Sequence, residues 1–186
     1  MPQASEKRQL LLQAAKGLIH EQGFTETTLA DIATRSGVAL GNVYYYFKTK
    51  DSLAEAVIDT RADELRQLRE HCDQHPQPKQ RLLCMIDSLR DHWSEQTVAY
   101  GCPAGSLCQE LNKVAGPLKQ QADQLLLGHL AWLEQQFQSM NCVPGREYAF
   151  QFMAMVQGGS LLANTFQNST ILLGRLDELR QWLESL

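Results

Sequence analysis

Residues 27–50 constrain this chain more than any other stretch. They read Thr-Thr-Leu-Ala-Asp-Ile-Ala-Thr-Arg-Ser-Gly-Val-Ala-Leu-Gly-Asn-Val-Tyr-Tyr-Tyr-Phe-Lys-Thr-Lys. The pattern is two short helices joined by a tight turn. Thr28 and Asp31 have the spacing of a helix N-terminus, where a hydroxyl caps free backbone N–H groups. Leu29, Ile32 and Ala33 fall at i, i+3 and i+4 and form one apolar stripe. Gly37 supplies a residue that turns left-handed without a Cβ clash. Val38 and Val43 then anchor the second helix on the first, and Ala33 is small where the two must cross.

The face left over carries Leu40, Gly41, Asn42, Tyr44, Tyr45 and Tyr46, followed by Lys48 and Lys50. Three consecutive tyrosines on a helix cannot all face one core, so at least one is exposed. Hydroxyls and ammoniums of this kind contact phosphates, and an Asn amide reads a base edge. Asn42 is the candidate for base contact, Leu40 for a thymine methyl, and Gly41 for close backbone approach. Thr28, Tyr44, Tyr46, Lys48 and Lys50 are phosphate candidates. Each has a plainer alternative: Asn42 as a solvated or capping residue, Leu40 as packing, Lys50 as a solvated first-turn lysine. The physical reading is a helix-turn-helix whose second helix enters the major groove of double-stranded DNA.

Thr-Thr-x-x-x-Ile-Ala, Ser-Gly-Val and Gly-x-x-Tyr-Tyr-Tyr-Phe-x-x-Lys together resemble the DNA-binding domain of TetR-type transcriptional repressors, over about residues 5–60. The resemblance implies an all-α chain. An N-terminal three-helix helix-turn-helix domain, residues 1–50, is followed by a C-terminal helical bundle, 51–186, for ligand binding and dimerisation. It also implies a homodimer that represses from a near-palindromic operator and is released by a small-molecule effector. In the resemblance the first helix braces the motif, Lys7 or Arg8 touches a phosphate, and Lys50 contacts DNA.

Charge agrees with a local DNA-binding surface. The chain carries −4 overall, of which residues 1–52 hold +1 and the remainder −5. Binding is therefore expected to be salt-sensitive and to need two copies of the domain. No apolar run is long enough to cross a bilayer, and the N-terminus lacks an apolar signal core, so a cytoplasmic protein is expected. Cys72, Cys84, Cys102, Cys108 and Cys142 are irregularly spaced, with no C-x-x-C pair, and read as free thiols.

Along the chain, the apolar stripe Leu11, Ala14, Ala15, Leu18 and Ile19 predicts a first helix over 5–22. Thr49 caps a helix that runs to about residue 70, long enough to act as a lever between two parts. Pro76 and Pro78 break it. Further helices are predicted over 79–97, from Gly105 or Ser106, over 117–139, over 146–167 and over 171–185. The segment Gly101-Cys102-Pro103-Ala104-Gly105-Ser106-Leu107, followed by Glu110-Leu111, resembles one subgroup of TetR-type regulators.

The helix over 146–167 is apolar on too many sides for a surface element. It and the last helix are expected to pair across a two-fold axis, through Leu162, Phe166, Leu172 and Leu176, with Gly158-Gly159-Ser160 allowing close approach. Trp93, Tyr100, Cys102, Trp132, Phe152 and Met155 are candidates to line an effector pocket, against the alternative of plain core. Cys102 has two open roles: a thiol sensor for oxidants or electrophiles, with Cys108 resolving it, or a packed residue of the pocket wall. The five histidines lack metal-ligand spacing and Ser106 lacks a nucleophile elbow, so no metal, cofactor or enzymatic activity is expected. A helical scaffold using the same motif for protein contacts is the reading from a different class.

Overall fold

A computed structural model describes residues 4–92, 95–113 and 116–186. Among them ten helical segments are described and no strand is. Four belong to the N-terminal part: α1 (Ala4–Gln22), α2 (Leu29–Ser36), α3 (Leu40–Tyr46) and the long α4 (Lys50–Cys72). The rest are α5 (Pro78–His92), α6 (Glu95–Tyr100), α7 (Pro103–Leu111), α8 (Pro117–Ser139), α9 (Gly145–Phe166) and α10 (Ser169–Ser185).

Two cores hold the chain together. The first gathers α1, α2 and α3 around Leu11, Ile32 and Val43, with Leu53, Val57 and Ile58 from the start of α4. It also takes Leu107, Cys108 and Leu111 from α7 and Leu118, Ala122 and Leu125 from α8. Apolar packing thus runs across residue 50, and α7 and α8 are built into the base of the helix-turn-helix. The second core packs α5, α8, α9 and α10 around Leu82, Met85, Leu133, Phe137 and Phe152. Fully burying one such side chain stabilises by about 1.5–3 kcal/mol.

The expected helix over 79–97 falls on α5 and α6, and residues 93 and 94 between them lie outside the described residues. The turn that follows is built from Gly101 at φ 83°, with Cys102 as the N-cap of α7 and Pro103 at its first position. Proline there has no N–H to lose from the helix ladder. The new helix therefore opens two residues earlier than Gly105.

The last two helices correct the expected pairing surface. Leu172 and Leu176 are 1% and 0% exposed. With Leu179 and Leu183 they form the single apolar stripe of α10, which the chain's own core takes up. Gly159 serves the same intrachain contact, since a Cβ there would meet Arg175 Cβ at 3.0 Å and Leu172 Cδ1 at 3.3 Å. The large apolar side chains turned outward on these two helices are Phe150, Leu161, Leu162 and Phe166 on α9 and Leu173 on α10.

Candidate nucleic-acid interface and ligand cavity

The helix-turn-helix is fixed from both ends of α2. Thr28 Oγ1 accepts the Asp31 N–H at 3.1 Å, and Asp31 Oδ2 accepts the Thr28 N–H at 2.9 Å. The Thr28 side-chain and backbone donors hold the Asp31 carboxyl below its ordinary pKa. At the other end Gly37 takes φ 67°, ψ 14° and donates to the Thr34 carbonyl. Val38 and Val43 then bury against Ile32 and Ala33 in the first core. Those contacts leave α3 one free face.

Leu40, Gly41, Asn42, Tyr44 and Tyr45 lie on that face, and Thr28 and Lys48 are exposed beside it. Tyr45 is the most open, at 74%. Tyr46 departs from the expected set: it packs on the first core, edge-on to Tyr45 with ring centroids 5.0 Å apart. Lys50 also turns inward. Its Nζ donates to the Thr25 carbonyl at 2.7 Å and sits 4.5 Å from the Phe24 ring centroid. Both residues support the recognition face from behind.

The same turn is gripped from the C-terminal half. Glu110 on α7 accepts the Phe24 and Thr25 N–H groups, each at 2.6 Å. Burial alone would raise the Glu110 carboxyl; the two backbone donors and the nearby Lys50 charge outweigh it and leave the pKa below its ordinary value. A second link joins α1 to the α6–α7 turn, where His20 Nε2 donates to the Gly101 carbonyl at 2.8 Å. Nothing in the spacing of Glu110 marked this role, because its partners lie 85 and 86 residues earlier.

Beside that link lies a cavity of about 760 Å³. α4 supplies Arg61, Glu64, Leu65, Leu68 and His71, and α8 supplies Leu126 and His129. Phe152, Met153, Val156 and Gln157 come from α9, and Cys102, Pro103 and Ala104 from the start of α7. His20 reaches it from α1. A volume of that order accommodates a drug-sized molecule.

Of the pocket candidates from the sequence, Cys102 and Phe152 line this cavity. Trp132, Tyr100 and Met155 do not. Trp132 is buried in the second core, its indole N–H shared between the Asp73 oxygens at 3.1 and 3.2 Å. Tyr100 packs edge-on to His20, and Met155 packs on the second core. Trp93 lies outside the described residues. Among the cavity's polar side chains, His20, Arg61, Glu64 and His129 were not marked by the sequence, because none of them belongs to a recognisable motif.

The thiol-sensor reading of Cys102 is not favoured by this geometry. Its Sγ is buried and caps α7, accepting the Gly105 N–H at 3.3 Å. Cys108, the expected resolving thiol, donates to the Ala122 carbonyl at 3.0 Å, and burial pushes it up to about 12. A thiol so placed forms little nucleophilic thiolate. Among the described residues no group of three His, Cys, Asp or Glu is arranged to hold a metal ion. No helix there is long and apolar enough to cross a membrane.

Known proteins agree with both halves. Residues 11–57 match the family model of bacterial regulatory proteins of the tetR family. An HTH-type transcriptional regulator from the lacX 3′ region of Lactococcus lactis is 24% identical, over 96% of this chain and 94% of its own. The HTH-type transcriptional regulator LmrA of Bacillus subtilis is 28% identical, over 90% of this chain and 92% of its own. The crystal structure of a TetR regulator from Chloroflexus aurantiacus superposes with a TM-score of 0.85 at 20% identity, covering 99% of this chain and 97% of that one. That last likeness shows that the fold extends through the C-terminal half. These proteins are named as regulators of transcription, a class without catalysis. With its capped helix-turn-helix and its exposed α3 face, the N-terminal part carries a DNA-binding domain of the kind found in bacterial regulatory proteins of the tetR family, over residues 11–57, and the chain as a whole is similar to helix-turn-helix transcriptional regulators.

Proposed function

We propose that this protein is a homodimeric repressor that leaves a near-palindromic operator when a small molecule enters the cavity beside α4, α8 and α9. The observation that carries the reading is the α3 face. Leu40, Asn42, Tyr44 and Tyr45 stand exposed on a helix whose other side is locked by Val43, which is fully buried. Asn42 is assigned to a base edge, Leu40 to a thymine methyl, and Gly41 to close backbone approach. Thr28, Tyr44, Tyr45 and Lys48 are assigned to the sugar-phosphate backbone. Residues 1–50 then form the DNA-reading unit and 51–186 the sensing and pairing unit.

Pairing is assigned to Leu161, Leu162 and Phe166 on α9 with Leu173 on α10. Two such helices per chain give a four-helix two-fold interface. Release follows from differential affinity: the effector must bind better to the arrangement that does not fit DNA. Gly101, Cys102 and Pro103 form the turn between cavity and α7, and that role is our account of the segment shared with one subgroup of these regulators. A cytoplasmic location follows from the DNA partner.

The test is a titration with duplex DNA at two salt concentrations. A regulator shows a steep salt slope plus a sequence-dependent remainder. A helical scaffold shows neither.

A further inference from the structure

One edge of the Arg61 guanidinium is unused. Arg61 lines the cavity from α4, and its side chain is 15% exposed. Its Nη1 donates to Glu64 Oε2 at 2.9 Å, and its Nε and Nη2 have no hydrogen-bond partner among the described residues. The side-chain nitrogens and oxygens there that are both unpaired and shut off from water are His129 Nδ1 and Ser160 Oγ, so Nε and Nη2 keep contact with water. The free edge thus belongs to a residue that borders the cavity, and it is open to solvent. These two N–H groups form the side-on fork that meets a carboxylate with two parallel hydrogen bonds.

The charge balance leaves a place for an anion. Glu64 Oε1 takes Lys16 and Oε2 takes Arg61, so both its oxygens are used. Lys16, Glu64 and Arg61 together carry two positive charges and one negative, a surplus of 2 − 1 = +1. That surplus is felt in the cavity wall. At His20, Arg61 is the strongest charge effect and opposes protonation, outweighing the contrary pull of Glu21. Asp91 also borders the cavity, but it is exposed and water screens it. The body of the cavity is apolar, with Leu65, Leu68, Leu126, Phe152 and Met153.

We propose that the cavity takes a molecule with an apolar body and one carboxylate, the carboxylate seated on the Nε–Nη2 edge of Arg61. A hydroxyl or an amide carbonyl offers that fork one acceptor atom and leaves the surplus charge in place. A carboxylate offers two and cancels it. A cation has nothing to accept with and is repelled. Glu64 keeps Nη1 and Lys16, so seating the ligand breaks no bond within the protein. That the cavity is an effector site is the reading given above, and the consequence for DNA rests on it.

Equilibrium dialysis of the full chain with 2-naphthoate, 2-naphthamide and 2-naphthylmethylammonium tests it. The expected result is roughly ten-fold or more tighter binding of 2-naphthoate than of either other probe, the factor a hydrogen bond to a charged group is worth. Arg61→Gln is expected to abolish that preference. No measurable binding of 2-naphthoate, equal binding of the three, preference for the amide or the ammonium, or a preference unchanged by the substitution overturns it. A readout on the unsubstituted protein covers the case of a poorly folded variant. In protein labelled with ¹⁵N-arginine, the Arg61 Nε resonance, identified by its absence from Arg61→Lys, shifts on adding 2-naphthoate. An unmoved resonance overturns the assignment. A gel shift with the same probes separates this from the repressor reading. If 2-naphthoate binds at Arg61 but leaves DNA affinity unchanged, the carboxylate site stands and the effector reading falls. If another small molecule releases DNA while 2-naphthoate shows no preference, the carboxylate site falls and the effector reading stands.

Discussion

Glu110 Oε2 accepts the backbone N–H of Phe24 at 2.6 Å, although the two residues are 86 apart in sequence. Its second oxygen takes the Thr25 N–H, so one carboxylate ties α7 to the turn that leads into α2. Gly23 completes the joint: a Cβ there would meet Glu110 Oε2 at 3.1 Å, and its φ is 88°. α7 begins at the cavity wall and ends at the DNA-binding domain. One short helix thus connects the cavity wall to the turn that leads into α2.

Glu110→Ala is expected to lower unfolding stability by about 2 kcal/mol, within the range for hydrogen bonds to a charged group. Glu110→Gln, which keeps one acceptor oxygen, loses less. Urea denaturation measures both. Because the folded carboxyl lies below its ordinary pKa, the stability it adds is present above the unfolded value near 4.3 and is lost as pH falls through the folded value. Both variants should therefore show a shallower acid limb than the parent.

On the recognition face the expected effects differ in kind. Tyr44→Ala and Lys48→Ala weaken binding to all duplexes, and Lys48→Ala reduces the salt slope by about 1. Asn42→Ala relaxes preference at one base position by about 1–3 kcal/mol. Lys50→Ala should lower thermal stability and leave the salt slope unchanged, since its ammonium is held by Thr25 and Phe24. Fluorescence anisotropy over a salt series distinguishes the three behaviours. An Asn42→Ala protein with unaltered base preference removes that assignment.

Leu162→Glu and Phe166→Glu are expected to yield a folded monomer, read by light scattering on the eluting protein. Leu176→Glu is expected to unfold the chain, because it places a charge in the second core at a position with no exposed surface. A dimer that survives both α9 substitutions contradicts the pairing surface.

His129 makes stability pH-dependent on the mildly acidic side. Its folded pKa is about 4 and its unfolded value about 6.5. Between those values the unfolded chain binds a proton that the folded one does not, so stability falls as pH drops from 6.5 towards 4. The full effect amounts to about 3 kcal/mol. His20, its pKa lowered by burial against the pull of the Gly101 carbonyl, contributes with the same sign. Thermal melts from pH 7.5 to 4.5 measure the sum, and His129→Leu removes the larger part.

The helix-turn-helix was legible because its signals are local. Thr28 and Asp31 meet within one turn, and Gly37 needs only its own backbone angles. The exposure of the expected pairing residues was legible in part. Leu162 and Phe166 face outward, whereas Leu172 and Leu176 do not, since a stripe on a helix shows that one face is covered and not by what. The cavity was harder still. Cys102 and Phe152 reach it, but Trp132 has its own partner in Asp73, and His129 has no sequence neighbour that marks it. Long-range convergence of isolated polar residues leaves no periodic trace.

The central claim is that α3 reads a symmetric DNA site as one half of a dimer. Selection of bound sequences from a random duplex library tests it most directly. The account predicts enrichment of a near-palindrome with half-sites about 34–36 Å apart, centre to centre, or a multiple of that spacing. Retention without sequence enrichment, or a single unpaired half-site, would contradict it.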